Sequence, residues 1–294
     1  MTCHEVGCDR IGAMLLREVA YARPATVEEA VSLLSEHDGA RALAGGQTLV
    51  NVMKQRAASP DVLVDLAKLD ELKTISVSGT TLEIGAMATL TSIIGSAEVE
   101  VSRPILAEVA ATVADVQVRN RGTLGGNVCL NDPTNHFPPL LVALGATMTI
   151  RSSQGERSVP ADEFFIGVFE TAVREGDLLT RISIPAAGKG TGDGMAGVTL
   201  GAHGTYVANA AASVTNGAWR VALGCVAAVP VRASAVEEAL GADVDDASVR
   251  AAVAGLGATL DPPFDVHASA DYRRSLAETS VVRAVLQAAE RAER

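Results

Sequence analysis

Between Ala40 and Lys54 the chain passes from a short apolar run, through Ala44-Gly45-Gly46, straight into a helical start. A strand from Ala40 to Leu43 followed at once by a sharp glycine turn and a helical turn over Thr48 to Lys54 must fold back on itself. That order marks a mixed αβ unit. The alternation continues on both sides. Thr26-Val27-Glu28-Glu29 places a hydroxyl three residues before a Glu, the form of a capping box. It opens a helix that buries Ala30, Val31 and Leu34 and ends at His37-Asp38-Gly39. Val62 to Asp65 reads as a strand, Thr74 to Ser78 and Thr81 to Ile84 flank a tight Gly79-Thr80 turn, and Thr89 to Ile94 and Pro104 to Val113 carry helical patterns. Further on come an apolar helix from Pro138 to Leu144, a hairpin of Thr147 to Arg151 and Arg157 to Pro160 around Gln154-Gly155, and a strand from Leu178 to Ile184.

The segment Ala187 to Gly194 has glycine at 188, 190, 192 and 194 and no apolar period, so it is expected to be a flexible loop at a domain boundary. Beyond it, apolar runs over Tyr206 to Val214 and Trp219 to Val226 meet at Asn216-Gly217, a strong hairpin signal. Val231 to Leu240, Ala247 to Gly255 and Ser275 to Arg291 have helical spacing. The expected class is α+β, with a tail over 1–15, two αβ subdomains over about 16–70 and 71–187, and an α+β domain over 188–294.

Composition narrows the function classes. A formal charge of −11, with Lys and Arg scattered singly, opposes a nucleic-acid role. No run approaches the roughly 20 apolar residues of a membrane helix. The N-terminus lacks the basic and apolar regions of a secretion signal, so the expected location is cytoplasmic. The cysteines, Cys3, Cys8, Cys129 and Cys225, are too spread for a disulfide scaffold. Cys3, His4 and Cys8 lack a fourth zinc ligand, so no metal site is expected. Cys129 reads as a small buried hydrophobe and Trp219 as a packing anchor.

Two glycine-rich turns are the candidates for chemistry: Ala44-Gly45-Gly46-Gln47-Thr48 and Thr123-Leu124-Gly125-Gly126-Asn127. Glycine lets backbone approach an anion, successive N–H groups can form a nest, and a following helix start adds partial positive charge. Thr48, Thr123 and Asn127 can add side-chain hydrogen bonds. Such a site holds a pyrophosphate without a basic patch, which suits an acidic chain. Neither turn fits the GxGxxG fingerprint, and there is no P-loop.

The run Ala44-Gly45-Gly46-Gln47-Thr48-Leu49-Val50 and the run Arg121-Gly122-Thr123-Leu124-Gly125-Gly126-Asn127-Val128, followed by Asp132-Pro133 and Leu140 to Ala146, resemble the two FAD-binding segments of the molybdenum hydroxylase flavin subunits, the xanthine dehydrogenase and carbon monoxide dehydrogenase type. Tyr21 to Ala30 and Ile84 to Leu90 are similar to that family as well, so the likeness spans nearly all of Leu16 to Val226. The resemblance implies a two-part FAD-binding domain of the vanillyl-alcohol oxidase/PCMH type, then an antiparallel sheet backed by helices. It also implies a small partner chain with two [2Fe-2S] clusters and a large one with molybdopterin, in a dimer of heterotrimers. Electrons would pass from the clusters through FAD to an outside acceptor.

Carried over by position, the resemblance implies that Leu43, Ala44, Gly45, Gly46, Gln47, Thr48, Leu49 and Val50 wrap the pyrophosphate from one side. Thr123, Leu124, Gly125, Gly126 and Asn127 would wrap it from the other. Val113 would approach the adenine or isoalloxazine, and Asp132 a ribose hydroxyl, although Asn131-Asp132-Pro133 is also plain turn chemistry. His136 stands where the family often has an acidic residue, and either donates to ribose or phosphate or packs in a loop. Tyr206 keeps the place of an aromatic that can cover the flavin, but the Lys and Arg that often precede it in relatives are missing around Ala202. Lys54, Arg119 and Arg121 can approach phosphate or a partner. No residue is expected to act as a catalytic acid or base, since the cofactor carries the redox chemistry. Two other readings stand beside this one: a stand-alone flavin oxidoreductase, which lacks a candidate base, and a flavin-free interaction subunit, against which the glycine turns argue.

Overall fold

A computed structural model describes residues 16–201, 204–241 and 244–293. The expected tail with Cys3, His4 and Cys8, and the positions Ala202 and His203, lie outside the described residues.

The first layer is a small parallel sheet. Strands β1 (Ala20–Ala22), β2 (Ala40–Leu43) and β3 (Val62–Asp65) align in the order β1-β3-β2. Between β1 and β2 lies helix α1 (Val27–Glu36), which buries Val27, Ala30, Val31 and Leu34 against Ala40, Val64 and Leu66. Its start is built as the capping pattern predicts: Thr26 Oγ1 accepts from Glu29 N at 3.1 Å. The Glu29 carboxylate reaches one residue further back than in a strict box and accepts from Ala25 N at 2.7 Å. Between β2 and β3 lies the short helix α2 (Leu49–Lys54), launched by the first glycine turn.

The second layer is a five-stranded antiparallel sheet. Strands β4 (Ile75–Ser78) and β5 (Thr81–Gly85) form its first hairpin. Five helices follow: α3 (Leu90–Ile94), α4 (Ala97–Ser102), α5 (Ile105–Thr112), α6 (Val116–Arg121) and α7 (Leu124–Leu130). Helix α8 (Phe137–Ala143) then leads to the hairpin β6 (Thr147–Ser152) and β7 (Gly155–Pro160). A small excursion of α9 (Ala161–Phe164), β8 (Phe165–Gly167) and β9 (Glu170–Thr171) precedes β10 (Leu178–Pro185). This last strand inserts between the two hairpins and gives the order β4-β5-β10-β6-β7.

The third layer corrects an expectation. The glycine-rich stretch does not stay a loop: from Thr191 to Thr199 it is strand β11, paired with β12 (Tyr206–Thr215) from Thr191↔Thr215 onward. Its glycines serve packing. A β carbon on Gly192 would lie 1.9 Å from the carbonyl oxygen of Ala288, and one on Gly194 2.1 Å from that of Ala284. The long C-terminal helix (Ala270–Ala292) therefore sits directly on this strand. Strands β13 (Ala218–Gly224) and β14 (Val231–Arg232) complete the order β11-β12-β13-β14. The β12–β13 turn has the expected form, with Asn216 at φ 49° and Gly217 at φ 81°. Val231 to Leu240 is strand then helix, because Val231 pairs with Leu223 and α10 starts only at Ser234 (Ser234–Ala239). Helices α11 (Asp246–Val253) and α12 (Ala270–Ala292) cover the sheet.

Replacing Gly192 or Gly194 by Val is expected to lower stability by about 2–3 kcal/mol, through forced separation of α12 from β11. Chemical denaturation measures it, and an unchanged midpoint for both variants would contradict this packing.

Helix α8 joins the layers. Every residue from Phe137 to Ala143 is buried, and the helix packs on β12 and β13 as well as on its own side of the chain. A helix apolar all round has no solvent face to offer. None of the described helices is long and apolar enough to cross a membrane.

Candidate cofactor-binding site

The two glycine turns, about eighty residues apart in sequence, face each other across one cleft. A β carbon on Gly45 would come within 1.9 Å of the Arg121 carbonyl oxygen, and one on Gly126 within 3.7 Å of the Ala44 β carbon. The first distance leaves no room for a side chain at position 45, so glycine there is what lets the segments approach this closely. The cleft measures about 340 Å³, and its floor is formed by Ala44, Gly45, Gly46, Gln47, Thr48 and Leu49 on one side and Thr123, Gly126 and Asn127 on the other. Leu90, Val113, Val118 and Leu130 supply apolar walls. Two adjoining compartments share Ala44 with it. One, about 370 Å³, adds Leu43, Val50, Asn51, Lys54, Asp65 and Arg121, and the other, about 130 Å³, adds Met87, Gly125 and Val173. An elongated ligand with flat apolar ends and a polar middle matches this shape.

The turns do different work. In the first, the N–H groups of Gly45, Gly46, Gln47 and Thr48 have no protein acceptor among the described residues, and Gly46 has φ 72°. Successive unpaired donors around a left-handed residue make an anion nest. The second turn uses its donors inside the chain. Leu124 N donates to Ala88 O (3.0 Å), Gly125 N to Ala86 O (2.9 Å), Gly126 N to Thr123 Oγ1 (3.0 Å) and Asn127 N to Thr123 O (3.0 Å). The two turns therefore differ in the free N–H donors they present. Thr123 is the N-cap of α7, and a β carbon on Gly125 would meet Ala86 O at 2.5 Å, so the second turn is docked rigidly on the end of β5. What it presents to the cleft is bare backbone and the Asn127 side chain, whose Oδ1 is buried without a hydrogen-bond partner. An orphaned acceptor beside an unfilled donor nest is a site shaped for a ligand carrying both N–H or O–H groups and an anion. FAD fits that description, with its hydroxylated chain and diphosphate.

Four of the residues expected at the site are not among those lining these compartments. Leu124 is fully buried in the core. Asp132 turns onto its own loop, its Oδ1 accepting from Thr134 N at 2.9 Å and from Thr134 Oγ1 at 2.7 Å. His136 and Tyr206 do not line the cleft. They pack on each other with ring centroids 4.5 Å apart, tilted by 51°. The Thr112 side chain, one residue before Val113 of the cleft wall, lies near Tyr206, while its own hydroxyl donates to Val109 O at 2.8 Å. Wall residues missed by sequence reading include Leu90, Val118, Leu130 and Asn135. Leu130 lies four residues after Gly126, a spacing that becomes informative once Thr123 is read as a helix cap.

Burial sets the charge state around the cleft. Desolvation pushes the Cys129 thiol up to about 12, which makes this part of the wall neutral at ordinary pH. Desolvation lowers His136 to about 4 from an ordinary 6.5. The unfolded chain then binds a proton between those values that the folded chain refuses. Stability from this residue is complete above about pH 6.5 and falls at roughly 1.4 kcal/mol per pH unit as pH drops towards 4. Urea midpoints at pH 7 and pH 5 should therefore converge in His136→Phe relative to the parent. Equal pH slopes in the two proteins would contradict a neutral buried imidazole. No group of His, Cys, Asp and Glu among the described residues is arranged to hold a metal ion.

Comparison with known proteins decides the family. The model for the FAD binding domain in molybdopterin dehydrogenase matches residues 17–187, and that for the CO dehydrogenase flavoprotein C-terminal domain matches residues 195–288. The chain belongs to the FAD-binding medium subunits of the molybdenum hydroxylases. It is 35% identical to the carbon monoxide dehydrogenase medium chain of Hydrogenophaga pseudoflava, over 90% of this chain and 95% of that one. It is 31% identical to the nicotine 6-hydroxylase medium subunit of Paenarthrobacter nicotinovorans, over 95% and 100%. A solved carbon monoxide dehydrogenase from Hydrogenophaga pseudoflava, lacking the Mo-pyranopterin moiety of its cofactor, superimposes with a TM-score of 0.90 at 36% identity, covering 95% of this chain and 99% of that one. Membership makes the chain an oxidoreductase subunit with FAD as its cofactor, and its fold is the family's: an FAD-binding domain followed by an antiparallel sheet backed by helices.

Proposed function

We propose that this medium subunit relays electrons from [2Fe-2S] clusters on a small partner chain, through its FAD, to an acceptor outside the complex, while a large chain carrying molybdopterin oxidises the substrate. The observation that carries this reading is the convergence of a nest of unpaired N–H donors and the orphaned Asn127 acceptor on one cleft. When bound, FAD supplies exchange of electrons singly or in pairs.

The chain's own residues bind and orient. Gly45 to Thr48 present N–H donors to the diphosphate, Asn127 Oδ1 accepts from a hydroxyl or ring N–H, and Leu90, Val113, Val118 and Leu130 exclude water from the flat rings. His136 and Tyr206 stand behind this wall and brace it. Residues 16–187 form the cofactor-binding part and 188–294 the part that closes it from behind through α8. Relatives of similar identity are medium chains of a carbon monoxide dehydrogenase and of a nicotine 6-hydroxylase, which supports a medium subunit that does not choose the substrate. We place the complex in the cytoplasm as a dimer of heterotrimers.

Affinity capture of the tagged chain from its native host tests the assembly. The eluate should contain FAD, iron and molybdenum in fixed proportion through gel filtration, and a chain that elutes alone without iron or molybdenum would contradict it.

A further inference from the structure

The compartment of about 370 Å³ on the outer side of the first glycine turn holds two cations, Lys54 and Arg121, for which no acidic side chain among the described residues forms an ion pair. Most other arginines in the chain are engaged: Arg103 with Asp193, Arg157 with Asp177, Arg220 with Asp162, Arg232 with Glu237 and Arg273 with Asp265. On a protein of net charge −11, leaving two cations free at one polar pocket needs a reason. Asp65, the acid in the same compartment, does not supply a partner. Its carboxylate accepts from the Tyr21 hydroxyl and from Ala67 N at 2.9 Å, and lies 3.5 Å from Arg23 Nε. That charge is already compensated.

We propose that Lys54 and Arg121 form a cationic clamp on the diphosphate of FAD, completing the nest of Gly45 to Thr48 from the outer side. This rests on the FAD reading above. The chain places the two residues by independent routes. Lys54 ends α2, the helix launched by the first turn, and Arg121 ends α6 directly before the second. Their convergence follows from the contact of Gly45 with the Arg121 backbone, and both line the compartment whose inner wall is Ala44 to Gln47. Compensation of helix dipoles is a weaker reason for their presence, since both helices have only six residues. The nest donors are neutral, so these two residues supply the site's formal positive charge, and charge-assisted bonds to phosphate are stronger than neutral ones. The proposal makes FAD affinity salt-dependent, as exposed charges are screened within about 10 Å at 0.1 M salt.

The test uses the full chain freed of flavin, titrated with FAD and separately with riboflavin, which has no phosphate, by quenching of flavin fluorescence. The parent should lose FAD affinity steeply between low and high salt. K54M and R121M should each weaken FAD binding on the order of tenfold, and the double variant should bind FAD weakly with little salt dependence. Riboflavin binding should be equal in all, and K54R should recover most of the loss. Both side chains are exposed, and an unchanged circular dichroism spectrum checks the fold. A double variant that binds FAD as tightly as the parent, with the same salt slope, overturns the clamp and leaves the FAD reading intact. A parent that binds neither flavin overturns both.

Discussion

Gly45→Ala is expected to weaken FAD binding by at least about a hundredfold, roughly 3 kcal/mol, although it adds one methyl group. The added carbon would stand 1.9 Å from the Arg121 carbonyl oxygen and 2.6 Å from its carbon. Backbone, not a flexible side-chain end, would have to yield. The second turn cannot retreat, because Leu124 and Gly125 are hydrogen-bonded to Ala88 and Ala86 at the end of β5. The first turn must move instead, and it carries the unpaired N–H groups of the nest. Gly188→Ala is the matched control, as nothing lies within 4 Å of its β-carbon position. Fluorescence titration with FAD measures the effect, and parent-like affinity in Gly45→Ala would show that the turns need not touch for the site to form.

Asp193→Ala should cost about 3–5 kcal/mol of folding stability, the range found when one member of a buried ion pair is removed. Arg103 is 3% exposed and Asp193 6%. The Arg103 Nη1 contacts both Asp193 carboxylate oxygens at 2.6 Å, and its Nε donates to Pro185 O at 2.6 Å. The pair ties the end of β10 in the five-stranded sheet to the start of β11 in the next one, beside Ala187 N donating to Ser102 O at 2.8 Å. Removing the carboxylate strands a guanidinium away from water. The double replacement Arg103→Met with Asp193→Leu removes both charges and should recover most of the loss, since the desolvation cost goes with them. Denaturant unfolding distinguishes the two variants. A single variant within about 0.5 kcal/mol of the parent would mean that water reaches Arg103.

These effects also mark where sequence was sufficient. The glycine turns, the Thr26 helix start and the Asn216-Gly217 hairpin are legible because short-range backbone geometry decides them. The Thr191 to Gly194 strand is not legible, because the reason for its glycines is α12, nearly a hundred residues later. The same limit applies within the site. The repeated Gly-Gly pattern identifies both cleft segments, but the exhaustion of the second turn's donors depends on carbonyls of Ala86 and Ala88, fixed by tertiary docking. The ring contact of His136 with Tyr206, seventy residues distant, is equally invisible in sequence, because only the fold brings the two together. Lys54 and Arg121 are legible in sequence as cations that can approach phosphate or a partner, and only the fold shows that they share one compartment.

The central claim is that this cleft holds FAD. The most direct test is the visible absorption spectrum of the purified chain, followed by acid release and identification of the nucleotide. The protein should be yellow with a flavin spectrum, and should release intact FAD in about equal proportion to the chain. A colourless protein that takes up no FAD on reconstitution would contradict it.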